Sequence, residues 1–554
     1  MNMNYTKYKK YPTMNFPERT WPSKTIETAP IWCSVDLRDG NQALPIPMSV
    51  EQKIEMFQLL QDMGYKEIEI GFPSASDTEY KFLRTLIEED LIREDVTVQV
   101  LTQARKHLIE KTFEALAGAK RAIVHVYNST SVQQRKVVFN KDKEEIIEIA
   151  IEGAQLLKDL AEQYSGTEFV FEYSPESFTG TEMDYALEIC EAVIDIWQPT
   201  PDKKVIINVP ATVEMATPNI YADQVEWFIK NLKKRDCVLL SVHAHNDRGT
   251  SVAATELALL AGADRVEGTL FGNGERTGNV DILTLAMNLF SQGIDPGVNI
   301  EDIDHIVETY KKCTGMDVHE RHPYAGNLVF TAFSGSHQDA IKKGLKVYQD
   351  ENPQYWEVPY LPIDPADIGR KYEAIIRINS QSGKGGVAFI LEEEFGFKLP
   401  KAMHPEVSKP IQVLTDETGK ELMAQEIFGI FKKEFLNLIM PMELVRINSF
   451  IEDGDENGVT MSAEIRYNGV SKQINGIGNG PISAFFHGLQ KEGLVGYKLV
   501  SYDEHAISDG ENAEAAAYIQ LEDEITGKRF FGAGTDRNTT KASIKALISA
   551  INRF

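Results

Sequence analysis

Eight short runs rich in β-branched and other apolar residues recur through the first half of the chain and constrain its fold more than any other feature. They are IWCSVD (31–36), EIEIG (67–71), VTVQVL (96–101), RAIVHVY (121–127), EFVFEY (168–173), KVIINV (204–209), VLLSVH (238–243) and RVEGTL (265–270). Helix-like segments fill most of the gaps. In the first of these, Val50, Ile54, Phe57 and Leu60 fall on one face. Ser49 and Gln52 have the spacing of a capping box, and Gly64 stands where a C-terminal glycine belongs. Strand–helix alternation repeated eight times predicts an α/β chain with a (β/α)₈ barrel over residues 31–325. An open, doubly wound sheet is the rival architecture that the same alternation allows. Residues 1–30, Tyr/Lys-rich at their start, read as an arm packed on the surface or on a partner subunit.

Composition removes several function classes. The 554 residues are too many for one ordinary domain. A net charge of −26, from 57 basic and 83 acidic residues, argues against a nucleic-acid partner, since phosphate binding wants a basic footprint. Cys33, Cys190, Cys237 and Cys313 are far apart and form no CxxC pair, so neither a disulfide framework nor a zinc ribbon is expected, and a reducing cytoplasm fits. The N-terminus has no apolar core of a secretory signal, and no stretch is long and apolar enough to span a membrane.

After about residue 325 the rhythm changes. Residues 326–435 hold helical segments, the loop-rich VPYLPIDPADIGRKY and the glycine-rich INSQSGKGG (378–386). The turn at Lys384 resembles a phosphate cradle, but GxxxxGK[ST] is absent and a linker turn is expected. Residues 436–554 read as a C-terminal α+β domain with an internal repeat. Each half runs strand, strand, strand, glycine turn, helix, ending in INGIGNGPISAFFHGL (474–489) and FGAGTDRNTTKASIKALISAI (531–551). Two helix N-termini facing each other behind such turns suit a small carboxylate ligand; ordinary tight turns are the plainer reading.

The residues that carry chemistry follow the ends of the barrel runs. His243 and His245 are two apart on the seventh run and so project from one face, which makes half of a divalent metal site. The first run leads into Asp36-Leu37-Arg38-Asp39-Gly40, which offers a carboxylate at Asp39 beside the cation of Arg38. The eighth leads into GTLFGNGERTGN (268–279), whose glycine spacing departs from a dinucleotide fingerprint and which carries Glu275 and Asn279. His125, Glu176 and Thr212 lie at or after the ends of the fourth, fifth and sixth runs. In a (β/α)₈ barrel all these ends meet at one catalytic face. His319 and His322, an HxxH pair at the barrel exit, read as structural.

These segments carry a resemblance. DLRDGNQ, EIGFPSAS, HVYNSTS, FEYSPESFTGTE, NVPATVEMATPN, SVHAHNDRGTSVA, GTLFGNGERTGNVD, FSGSHQDAI, VPYLPIDPADIGRKYE and RINSQSGKGG are similar to the 2-isopropylmalate synthase family, in its longer actinobacterial and fungal form, over nearly the whole chain. RDG and HxHND also occur in homocitrate synthases, citramalate synthases and HMG-CoA lyase relatives; SPES, VPYLPIDP and the paired C-terminal repeat discriminate better. The resemblance implies a cytoplasmic acyltransferase of leucine biosynthesis that condenses acetyl-CoA with 2-oxoisovalerate. It implies a divalent metal, Mg²⁺ or else Mn²⁺ or Zn²⁺, on Asp39, His243 and His245 with Asn279 at or beside it, and a monovalent K⁺ as a further ion. Thr212 is implied to hold the substrate carboxylate, Arg38 to stabilise oxygen charge, and His125 and Ser174 to line the pocket. Glu176 is implied as the base on the acetyl methyl, working with His337 and Tyr360 from a segment (326–435) that covers the partner's site in a homodimer. Leucine is the implied inhibitor, at turns containing Gly478, Asn479, Gly480, Gly534 and Asp536. Coenzyme A is anionic and the chain is acidic, so its seat needs a locally basic or helix-N-terminal pocket. The competing expectations are a related condensing enzyme using pyruvate or 2-oxoglutarate, a thioester lyase, which usually has a cysteine in a glycine loop where this chain has GNGERTG, and a silent leucine-binding regulator.

Overall fold

In the computed structural model, residues 5–332, 334–372, 384–418, 422–452, 458–507 and 513–554 are described. The eight runs are the strands of one closed parallel barrel: β1 (Ile31–Ser34), β2 (Glu67–Gly71), β3 (Thr97–Gln103), β4 (Arg121–Ser129), β5 (Glu168–Glu176), β6 (Val205–Ala211), β7 (Val238–Ala244) and β8 (Arg265–Gly268). β1 closes on β8, with Ile31 opposite Arg265 and Ser34 opposite Gly268, which excludes the open sheet. The connecting helices are α1 (Val50–Asp62), α2 (Asp77–Glu88), α3 (Lys106–Leu116), the single turn α4 (Val132–Gln134), α5 (Lys143–Gln163), α6 (Met183–Trp197), α7 (Pro218–Asn231) and α8 (Ser251–Ala261), followed by α9 (Ile282–Phe290) and α10 (Ile303–Thr314). The expected capping box opens α1, with Ser49 and Gln52 each accepting the other's backbone N–H, and Gly64 follows its end at φ +96°.

Phe57, Leu60, Phe82, Leu86 and Phe113 are among the fully buried apolar side chains by which these helices pack on the barrel. The barrel interior is different. Glu69, Gln99, Glu172, Ser241, Arg265 and Glu267 are fully buried there. Arg265 Nη1 donates to Glu267 Oε1 and Ser241 Oγ at 2.9 Å each, and its Nη2 to Gln99 Oε1 at 2.6 Å. Gln99 Nε2 reaches Glu69 at 2.8 Å and Glu267 at 2.9 Å. A charge layer this dry is tolerable only because each carboxylate has a cation or donor nearby.

The N-terminal arm is fastened to α7 of its own barrel: Arg19 and Trp21 Nε1 both donate to Asp223, at 2.7 and 2.8 Å, and the Thr20 amide donates to Glu226 at 2.8 Å. Among the described residues no helix is long and apolar enough to cross a membrane.

The chain divides into two compact units, Met1–Val329 with Ile363–Lys371, and Phe330–Pro362 with Tyr372–Phe554. The second holds α11 (Gly335–Glu351), α12 (Lys384–Phe395), α13 (His404–Thr418) and α14 (Ala424–Glu434). It continues with β9 (Met442–Glu452), β10 (Val459–Tyr467), β11 (Val470–Gly478), α15 (Pro481–Lys491), β12 (Tyr497–Ala506), β13 (Ala515–Asp523), β14 (Arg529–Asp536) and α16 (Thr539–Asn552). That is βββα twice, each half with its own three-stranded antiparallel sheet, as the repeat predicts. Met461, Ile465, Phe485, Leu489, Ile519, Leu521 and Leu547 share one core beneath both helices. Of the stretch expected as a linker turn, residues 378–383 lie outside the described residues, and Lys384 opens α12.

The glycines of the repeat differ from expectation. Gly478 and Gly534, expected in turns, are strand residues of β11 and β14. Together with Gly476 and Gly532 they let a helix backbone cross the strand at close range. A Cβ on Gly532 would lie 2.1 Å from the Ala550 nitrogen, and one on Gly476 would lie 2.0 Å from the Ala484 oxygen. Gly532→Ala must therefore push α16 off its sheet. Its expected cost is about 1–3 kcal/mol, the usual range for overpacking a filled core, read as a lower unfolding midpoint of the C-terminal domain.

Candidate active site

The strand ends meet at one mouth. A cavity of about 970 Å³ opens there, lined among others by Arg38, Asp39, His125, Ser174, Glu176, Thr212, His243 and His245. These residues span more than 200 positions of sequence, and the barrel brings them together as expected. His337 and Tyr360 belong to the second compact unit and form a pair of their own, stacked with ring centroids 4.1 Å apart.

At the centre, one ligand atom each from Asp39, His243 and His245 lies within 4.8 Å of the others, all three residues being buried. The turn Asp36–Gly40 after β1 delivers Asp39, and the last two residues of β7 with the next one deliver the imidazoles on one face. His243 Nδ1 is bonded to Glu267 at 2.9 Å, which fixes its ring and turns Nε2 toward Asp39 Oδ2 (3.1 Å) and Asn279 Oδ1 (2.9 Å). His245 Nε2 is 3.6 Å from Asp39, and its buried Nδ1 has no hydrogen-bond partner. Asn279 is placed by the loop after β8, which folds back so closely that a Cβ on Gly278 (φ +96°) would meet the Gly272 oxygen at 1.9 Å.

The electrostatics match the geometry. Burial alone would raise the Asp39 carboxyl, but the Arg38 guanidinium and the two imidazoles outweigh it and hold the group far below the usual range. Burial would lower His243, yet its bonds to Asp39 and Glu267 bring it up to about 9. His245, with burial and the His243 cation both acting against its charge, is brought down to about 4. Two imidazoles, a carboxylate and an amide oxygen converging on one point, with an unpartnered ring nitrogen beside it, suit a divalent cation.

A second cluster, His125, Glu172 and Glu267, lies deeper. Arg265 already sits against both carboxylates, at 3.5 Å from Glu172 and 2.9 Å from Glu267. Burial pushes the Glu172 carboxyl well up. That cluster is the charge-balanced floor of the site rather than a metal seat.

Around the centre, Arg38 Nε is bonded to Glu69 and Nη1 to Asp39 at 3.2 Å. His125 Nε2 pairs with Ser174 Oγ at 2.7 Å, and the same hydroxyl accepts from Asn208 Nδ2 at 2.9 Å. Glu176, the last residue of β5, accepts from the Ser129 hydroxyl. The Thr212 hydroxyl accepts from the Ser177 amide at 2.9 Å. The supporting acids Glu69 and Glu267 escaped the sequence reading. Their signal was charge inside strands that should be dry, in EIEIG and RVEG. His322, expected to be structural, is bonded to Asp281 at 2.9 Å, the residue that caps α9.

In the C-terminal repeat, Asn479 and Gly480 line a cavity of about 500 Å³ with Ile482, Phe486, His487 and Tyr502. Gly478 packs instead against α15, where a Cβ would lie 2.4 Å from the Ala484 nitrogen. Gly534 and Asp536 end β14, with Asp536 accepting from Lys545 at 2.8 Å.

Comparison with known proteins adds the following. A family model described as HMGL-like matches residues 29–309. One described as alpha-isopropylmalate synthase, post-catalytic domain-like, matches 327–392, and one described as LeuA allosteric (dimerisation) domain matches 421–554. A 2-isopropylmalate synthase of Clostridium acetobutylicum is 60% identical over 557 residues, covering 100% of this chain and 99% of the relative. Those of Acetoanaerobium sticklandii and Rhodospirillum rubrum are 57% and 54% identical, covering 100% and 99% of this chain and 97% and 98% of the relatives.

Proposed function

The chain belongs to the 2-isopropylmalate synthase family, and from that premise we propose that its barrel mouth condenses acetyl-CoA with 2-oxoisovalerate and water to give 2-isopropylmalate and coenzyme A. The observation that carries this reading is the Asp39, His243 and His245 cluster, set in the same cavity as Arg38 and Glu176.

Asp39, His243 and His245 are the ligands we propose, with Asn279 beside them. Mg²⁺ is the ion we favour, and Mn²⁺ or Zn²⁺ fits the same donors. When bound, the cation supplies Lewis acidity to the ketone of the oxo acid. Thr212 donates to the substrate carboxylate, its oxygen already oriented by the Ser177 amide. His125 and Ser174, locked to each other and to Asn208, form a fixed wall of the pocket. Glu176 takes a proton from the acetyl methyl, and the resulting carbanion attacks the ketone carbon. Arg38, anchored by Glu69 and Asp39, stabilises the negative oxygen that develops. Water then cleaves the thioester, releasing the free thiol. The base removal predicts its own signature: Glu176→Gln lowers kcat by about 10²–10⁴-fold with little change in the KM for the oxo acid, in steady-state assays.

The C-terminal domain supports a dimer and a small-molecule effector. Leucine is the effector we propose, at the segments containing Gly478, Asn479, Gly480, Gly534 and Asp536, and His337 and Tyr360 are proposed to complete the partner's site. The four cysteines, buried and unpaired, support action in the reducing cytoplasm.

The test is free-thiol release from acetyl-CoA with 2-oxoisovalerate, pyruvate or 2-oxoglutarate, with and without leucine. Fast release with 2-oxoisovalerate, slowed by leucine, is expected. Preference for pyruvate or 2-oxoglutarate makes the enzyme a citramalate or homocitrate synthase. No release with any oxo acid overturns catalysis in favour of a leucine-binding regulator.

A further inference from the structure

Lys53 lies in α1 with its side chain wholly buried, an unusual place for an ammonium group. Its Nζ donates to the Leu37 carbonyl at 2.9 Å and to the Ile70 carbonyl at 3.4 Å, and pairs with Glu79 of α2. It also lies 5.2 Å from the centre of the Phe82 ring. The Leu37 carbonyl belongs to the peptide bond that leads into Arg38. Ile70 follows Glu69, which holds the Arg38 guanidinium. One ammonium thus ties together the backbone that carries Arg38 and Asp39 and the backbone that carries their anchor. The arrangement is built for it. The second Glu79 oxygen is packed against Gly71, where a Cβ would fall 1.7 Å away, so a side chain at that position would displace the carboxylate.

We propose that Lys53 is a positioning residue for the condensation: through its bonds to the Leu37 and Ile70 carbonyls it sets the turn that aims Arg38 at the developing negative oxygen and Asp39 at the proposed cation position. Glu79 supplies the counter-charge that makes burial of the ammonium tolerable. The proposal rests on the metal-assisted condensation proposed above. Its rival is a buried ion pair that only stabilises the fold.

The two roles come apart in a pair of variants of the full-length protein. Replacing both partners, in Lys53→Met/Glu79→Met, leaves no orphaned charge and fills similar volume, so stability is expected to stay near wild type. The carbonyl bonds are gone, however. kcat is expected to fall on the order of 10²-fold, as for a misplacement of about 1 Å at the reacting groups, and Mn²⁺ affinity, followed by electron paramagnetic resonance without substrate, to fall as well. Glu79→Gln keeps Lys53 and its carbonyl bonds but loses the buried counter-charge. Its melting temperature is expected to drop while kcat and Mn²⁺ affinity of the folded protein stay within a few-fold. Activity and Mn²⁺ affinity that follow stability in both variants, or a double variant with wild-type kcat, overturn the proposal. Failure of the wild-type protein to release thiol from acetyl-CoA is a separate result and overturns the condensation itself. The Mn²⁺ measurement still reads the positioning of Asp39 in that case.

Discussion

His243→Ala is expected to abolish tight Mn²⁺ binding and to lower thiol release by on the order of 10³-fold or more. The magnitude follows from losing several kcal/mol of Lewis-acid stabilisation at the ketone oxygen, at 1.36 kcal/mol per factor of ten. The imidazole is placed to hold the proposed cation: Glu267 holds Nδ1, leaving Nε2 to face Asp39 and Asn279. Glu267→Gln offers the contrast. It keeps the proposed ligand but weakens the acceptor that orients it, and a loss of about 10–100-fold in metal affinity or activity is expected, the usual range for carboxylates that orient metal-bound histidines. Calorimetric Mn²⁺ titration of both variants, alongside the thiol assay, checks the order. Equal, small effects in the two would show that His243 is not a ligand.

Arg265→Met is expected to give the largest loss of stability of any single change in the barrel. The guanidinium is fully buried and stands against Glu67, Glu172 and Glu267 at 2.5, 3.5 and 2.9 Å. A methionine fills much of the space but leaves Glu267 with a negative charge and no cation on that side. Removing one partner of a buried pair costs about 3–5 kcal/mol. Urea unfolding of the barrel, followed by near-ultraviolet circular dichroism, should show the midpoint fall accordingly. A shift of less than about 1 kcal/mol, the ordinary size of a single-mutation effect, would mean that the floor of the barrel is solvated or otherwise neutralised.

The eight strands were legible because each is an apolar run whose period and length admit little else, and the capping box at Ser49 and Gln52 fixed where the first helix begins. The cluster of Asp39, His243 and His245 was legible once a barrel was assumed, because strand ends converge. What the sequence hid was the barrel floor. Glu69, Glu172, Arg265 and Glu267 stand in strands as isolated charges, and only cross-barrel distances reveal that they answer one another. Lys53 was hidden for the same reason: on α1 it reads as a solvated helix residue, and its burial depends on Glu79 and on Gly71 making room. In the C-terminal repeat the glycines were read as turns. Gly478 and Gly534 are instead the places where a helix backbone crosses a strand, a role that glycine content alone does not separate from a turn.

The most direct test of the account is anomalous diffraction from crystals grown with Mn²⁺ and 2-oxoisovalerate. One peak is predicted at the barrel mouth, at about 2.0–2.3 Å from Asp39, His243 Nε2 and His245, in the range of imidazole and carboxylate ligands, with the oxo-acid oxygens completing the coordination. A peak among His125, Glu172 and Glu267, or no peak in the barrel at all, would contradict it.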